Sequence, residues 1–181
     1  MTRNFRQRKS VSPELVKKIL VYSLLSLLLA SLQCSFFARL AICPATPDLM
    51  LALVAAIALL DSREAAAICG IGCGVLIDAL GASTAFSPLL YFAAACILGG
   101  LSRKMLQKLP SFLTLMLPAL LMRAVWTAGC VVWKLRRLPP VKALLVLLLK
   151  EAAVTLVLCL PIWFLVRLAI RLCGTRKHFD L

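Results

Sequence analysis

Acidic side chains are scarce in this chain: 7 Asp and Glu stand against 21 Lys and Arg, for a formal net charge of +14. Charged residues of both signs make up only 15% of the sequence, and the single histidine, His178, lies in the tail. This poverty removes most of the side-chain sets that carry chemistry. There is no Cys-x-x-Cys pair, no set of residues with metal-ligand spacing and no nucleophile–base pair. The glycine-rich stretch "CGIGCGVLIDAL" (Cys69 to Leu80) does not cradle a phosphate either. A dinucleotide fingerprint running through Gly70 and Gly72 needs glycine where Val75 stands, and a Walker loop needs a Gly-Lys-Ser/Thr that is absent. The expectation is a protein without catalytic residues, bound metal or cofactor.

What is abundant is apolar. Residues of the set AVILMFWYC account for 62% of the chain, against roughly 45–50% in ordinary globular domains. A soluble protein of that composition could not cover its surface, so the natural solvent is lipid. The basic residues are bunched between apolar runs, which fits the cytoplasmic bias of Lys and Arg in membrane proteins and attraction to anionic lipid. A nucleic-acid partner is not expected. The 8 cysteines lie mostly inside apolar runs, where Cys behaves as a small hydrophobe, so no disulfide framework is expected. The basic start resembles a signal peptide, but the apolar run that follows is too long and lacks a small-residue cleavage site. The first helix is therefore expected to stay.

The apolar runs predict an all-α integral membrane protein, a bundle of six transmembrane helices. Residues 1–18 form a basic cytoplasmic head, residues 19–172 the helical domain and residues 173–181 a basic cytoplasmic tail. The spans fall at about 19–37, 48–60, 65–80, 86–101, 111–133 and 143–172. The second is short, with a marked start: Thr46 suits an N-cap, Pro47 the first helical position and Asp48 the positive end of the helix dipole. Six spans put both termini on the cytoplasmic side, where their basic residues belong. The loop at 134–142, with Lys134, Arg136, Arg137 and Lys142, then lies outside, against that bias.

Lipid tails are as apolar as leucine, so helices in a bilayer associate through close backbone approach or polar contacts. Ala66, Gly70 and Gly74 form a small-residue stripe on the third span; Ser26 and Ala30, Ala52 and Ala56, and Ala95 and Gly99 do so on the first, second and fourth. Packing within the monomer is their simplest use. Asp78, Arg123 and Glu151 are the expensive residues, each costing about 2.5–3.5 kcal/mol at the bilayer centre. At 1.5 Å per residue Asp78 and Arg123 lie roughly 20 Å from the cytoplasmic side, and Glu151 roughly 14 Å from the opposite one. All three occupy a similar band, so Asp78 or Glu151 is expected to pair with Arg123. For Asp78 the competing reading is a helix end reaching interfacial water.

In their order and spacing, "LQCSFFARL", "TPDLMLALVAAIALL", "GIGCGVLIDALG" and "FSPLLYFAAACILGGL" resemble the MreD family of bacterial rod-shape-determining membrane proteins. The resemblance covers roughly residues 32–101, with Pro47, Asp48, Leu49, Gly74, Asp78, Leu90 and Gly99 as its marks. It implies a cytoplasmic-membrane scaffold of the cell-elongation machinery, shaped like the substrate-binding subunits of energy-coupling-factor vitamin transporters. The implied partners are an MreC-like single-span protein, actin-like MreB, RodA and a class B penicillin-binding transpeptidase; membrane lipid and a second copy of the chain complete the candidates. The alternative is a substrate-binding subunit of a small-molecule transporter. A weaker third is a membrane enzyme using Asp78 or Glu151. Short loops with few hydrogen-bonding side chains favour the scaffold.

Overall fold

A computed structural model describes residues 13–37, 47–80, 86–103, 105–135 and 141–173. Each apolar run becomes a helix: α1 (Pro13–Ser31), α2 (Leu49–Leu60), α3 (Arg63–Ala79), α4 (Ser87–Ser102), α5 (Leu109–Leu135) and α6 (Val141–Leu172). A π-helical turn, Leu32–Phe37, extends α1. No strand occurs among the described residues. The head at 1–12, Thr46, the turn at 81–85, the loop at 136–140 and the tail at 174–181 lie outside them.

Three helical stretches, Val16–Phe36, Leu109–Trp133 and Leu145–Leu172, are long and apolar enough to cross a membrane. The other helices are shorter. With 12, 17 and 16 residues, α2, α3 and α4 extend about 18, 26 and 24 Å at 1.5 Å per residue, against a hydrocarbon core of about 30 Å. Among the described residues the fold is thus all-helical, and its three helices of spanning length fit a membrane protein.

The shortest helix is the central one. Every residue of α2 from Leu49 to Leu60 is buried, and α2 packs against each of the other five helices. A helix apolar on all sides has no face that prefers water, so enclosure suits it. Tyr91, Phe112, Leu115, Met116, Cys159 and Val166 from the surrounding helices complete the core. Outside that core, large apolar side chains such as Leu24, Ile68, Leu121, Val125 and Phe164 face outward, as a lipid solvent requires.

The tightest helix pair is α3 with α4, which run antiparallel. A Cβ placed on Gly70 would stand 2.8 Å from the carbonyl oxygen of Tyr91. One on Gly74 would overlap the backbone of Pro88, and one on Gly99 would stand 2.7 Å from Cγ of Arg63. Ala66, Gly70 and Gly74 are all buried, so the small-residue stripe faces its neighbour helix.

The start of α2 differs from the sequence expectation. Pro47 precedes the helix instead of opening it, and Asp48 is the N-cap: its side chain accepts from Leu51 N. Its φ of −95° and ψ of 84° are non-helical, which lets the carboxylate turn back over the first free N–H groups. At the other end Asp61 receives Lys18 Nζ at 2.8 Å and the Tyr22 hydroxyl at 3.0 Å, while Ser102 Oγ donates to the Ala58 carbonyl at 2.9 Å. Lys18 and Asp61 retain 21% and 14% side-chain exposure. Lys18→Ala should therefore cost no more than about 1 kcal/mol, read as a small drop in melting temperature in detergent.

Candidate functional site

Helix α2 brings four backbone N–H groups to its N-terminus with no partners inside the helix. Side chains from several elements accept from three of them, the N–H groups of Asp48, Leu49 and Leu51. Asp48 Oδ1 accepts from Leu51 N at 3.1 Å and from the Tyr91 hydroxyl of α4 at 2.9 Å. Leu49 N donates to Gln33 Oε1 in the π-helical turn at 3.0 Å, and Asp48 N donates to Thr155 Oγ1 of α6 at 3.2 Å. Thr155 Oγ1 in turn donates to the Glu151 carbonyl at 2.7 Å. Gln33 is the second residue of the π-helical turn 32–37 that extends α1.

Above this cap sits an ion cluster. Arg123 Nε of α5 lies 3.2 Å from Asp48 Oδ2 and 3.2 Å from Glu151 Oε1. Asp48 is 1% exposed and Glu151 8%. The pairing with Arg123 expected for either Asp78 or Glu151 thus falls to Glu151, with Asp48 as a second partner that sequence reasoning had assigned to helix-start chemistry alone. Asp48 does both.

Asp78 stands apart, exposed on the outer side of α3. The reason is rotation, not depth. Four residues turn a helix by about 400°, so a stripe at that spacing drifts about 40° per step. Asp78, three steps beyond Ala66, has moved about 120° around from the face that Ala66 opens. Asp78→Asn should therefore leave the melting temperature nearly unchanged, within about 0.5 kcal/mol of stability; a large loss would show that α3 faces otherwise.

Sequence reasoning also missed Gln33, Tyr91 and Thr155. A usable signal existed for the tyrosines. The chain has 2 of them, and each donates to the aspartate at one end of α2, Tyr22 to Asp61 and Tyr91 to Asp48. A phenol in an apolar run brings a hydroxyl that needs a partner, and α2 offers one carboxylate at each end.

The cluster can hold helices and fix charge. One guanidinium touching carboxylates on two other helices ties α2, α5 and α6, and the phenol and amide add α4 and the π-helical turn. The Trp126 Nε1 and Thr127 Oγ1 atoms, on half-buried residues three and four positions beyond Arg123 on α5, are buried without hydrogen-bond partners, as is Trp163 Nε1 of α6. Elsewhere Ser26, Cys69 and Cys73 form a small cluster of weak contacts, with Cys73 Sγ 3.5 Å from Ser26 Oγ. The seven described cysteines are free, and no group of three or more metal-ligating side chains occurs among the described residues.

No protein-family model, curated protein sequence or solved structure matches the chain.

Proposed function

We propose that the chain is a non-catalytic membrane scaffold of the cell-elongation machinery, of the MreD kind, linking an MreC-like single-span protein and MreB to lateral peptidoglycan synthesis. On this reading all six helices cross the cytoplasmic membrane, with both termini inside and a shape like that of energy-coupling-factor substrate-binding subunits. The lengths are compatible with it: α2, α3 and α4 are short, but α2 is enclosed by protein, and a bilayer thins locally beside short spans at modest cost.

The observation that carries the reading is where its sequence marks fall. Asp48 and Leu49 begin the central helix and engage α1's extension, α4, α5 and α6. Gly70 and Gly74 set the α3–α4 approach. Of the residues behind the resemblance, Asp48, Leu49, Gly74 and Gly99 thus lie at contacts between helices, as a scaffold needs from its interior, while Asp78 is exposed on α3.

Mild solubilisation and affinity purification test this. Recovery of a single-span, coiled-coil MreC-like protein is expected, together with round cells on depletion. Recovery with transporter ATPases, or with a bound vitamin, would replace this reading with the transporter one. Cysteine labelling of the basic loop at 134–142 from outside intact cells is expected on the six-span topology, and labelling only after lysis would overturn that topology.

A further inference from the structure

One end of the bundle gathers basic residues. The Lys18–Asp61 and Ser102–Ala58 hydrogen bonds bring the start of α1, the end of α2 and the end of α4 to one level, and Arg63 opens α3 there beside Gly99. Helix α6 reaches the same level. Thr155 stands at the other end of α2, on Asp48 N. Arg167 lies about 18 Å further along α6, which is the length of α2 itself. Lys17, Arg63, Arg103, Lys108 and Arg171 are exposed at this end. Acids are few. Among the described residues they are Glu14, Asp61 and Glu64, and Asp61 is already held by Lys18 and Tyr22. The flanking stretches of sequence, 1–12, 104 and 174–181, bring further basic residues and one acidic residue, Asp180.

Arg167 differs from the other cations in being held against a fixed platform. Its guanidinium carbon lies 5.0 Å from the centroid of the Trp163 ring, one turn back on α6, and Trp163 is 3% exposed. Stacking on a ring uses the face of the guanidinium, while its N–H donors point outward in the plane. They stay free for the paired bonds that a phosphate accepts. Arg171, one turn further along the helix, is exposed. Among the described residues no carboxylate lies within ion-pair distance of either arginine.

Beside this basic ridge runs an apolar one. Phe164, Leu168 and Leu172 are exposed at four-residue spacing, and Phe164 meets the Trp163 ring edge to face at 5.0 Å. A small free anion would use the arginines and leave that ridge idle. A phospholipid would use both. The surplus of positive charge favours a headgroup whose phosphate is not offset by an ammonium.

We infer that Arg167 and Arg171 bind the phosphate of an anionic phospholipid whose acyl chain lies along Phe164, Leu168 and Leu172. The inference rests on the chain's being a membrane protein and not on the scaffold proposal.

Native mass spectrometry of the full-length protein, released from mild detergent with added phosphatidylglycerol or phosphatidylcholine, tests it. Each arginine beside an anionic headgroup should contribute roughly fivefold in affinity. Arg167→Gln with Arg171→Gln should therefore weaken phosphatidylglycerol binding roughly thirtyfold, towards the level of phosphatidylcholine. Arg171→Gln alone changes an exposed side chain, keeps the fold and should lose roughly fivefold. Arg103→Gln removes an exposed cation of α4 at the same end and should lose less than about twofold. Equal retention of the two lipids by wild type would overturn the inference, as would undiminished binding in Arg171→Gln. An equal loss in Arg103→Gln would mean a diffuse attraction and no site. Inorganic phosphate added at constant ionic strength should leave the lipid in place; displacement would mark a site for free anions and overturn the inference too.

Discussion

Replacing Arg123 with glutamine is expected to destabilise the protein far more than Lys18→Ala or Asp78→Asn. Among the described residues Arg123 is the one cation of the cluster, 3.2 Å from Asp48 and 3.2 Å from Glu151. Removing one partner of a buried ion pair costs about 3–5 kcal/mol, because the remaining charge has neither water nor counter-charge. For a chain of this size that is a drop in melting temperature on the order of 10 °C. The bilayer raises the stakes: helix association there gains little from apolar contact, so a polar tie carries a larger share of the specificity.

The expected signature is specific to the pairing. Arg123→Glu combined with Glu151→Arg keeps the cluster's composition and should recover folded protein, since the two positions face each other across α5 and α6. Arg123→Glu combined with Asp78→Arg should recover none, because Asp78 is exposed on α3. If the first double variant yields no more folded protein than Arg123→Glu alone, the contact does not stabilise the bundle. Size-exclusion profiles in detergent and melting curves give the comparison.

These charges show how far the sequence could be read and where it stopped. Helix positions were legible because apolar runs bounded by Asp61–Glu64, Arg103–Lys108 and the basic loop leave few alternatives, and the observed helices begin and end within a few residues of the runs. The relative level of two charges was legible too. A fixed rise per residue placed Arg123 and Glu151 at related levels, and they meet. Azimuth was not. Rise alone gave Asp78 the same standing as Glu151, and only the drift of the α3 stripe away from α4 separates them. Asp48 was misjudged for a related reason. Cap chemistry explained it completely from local sequence, and nothing local reveals that Tyr91 of α4 and Arg123 of α5 converge on its carboxylate while Thr155 of α6 accepts from its backbone N–H. Nor does the sequence show that the shortest apolar run is the enclosed one; that depends on how five other helices are arranged around it.

The α3–α4 contact makes the sharpest remaining prediction, because two glycines a half-turn apart should respond with opposite signs. A Cβ on Gly74 would overlap Pro88 Cα and N and stand 2.8 Å from the Ser87 carbonyl carbon. These are backbone atoms, so no side-chain rotation relieves the clash. To restore contact at ~3.5 Å the helices must separate by on the order of 1 Å. Gly74→Ala should therefore cost about 1–3 kcal/mol despite its better helix propensity, and Gly74→Val more. Gly72, by contrast, has nothing within 4 Å of a Cβ position. Gly72→Ala keeps the helix and gains about 0.8–1.0 kcal/mol of propensity. The damage at Gly74 should also travel. Tyr91 lies one turn beyond Ser87 on α4 and donates its hydroxyl to Asp48 at 2.9 Å, so pushing α4 outward pulls that phenol from the cluster. Gly74→Ala and Tyr91→Phe should then be less costly together than the sum of their separate effects. Melting curves of the four proteins in the cycle decide it: additive losses would mean that the glycine contact and the ion cluster are held independently, and equal stability of Gly74→Ala and Gly72→Ala would mean that α3 and α4 are not in backbone contact.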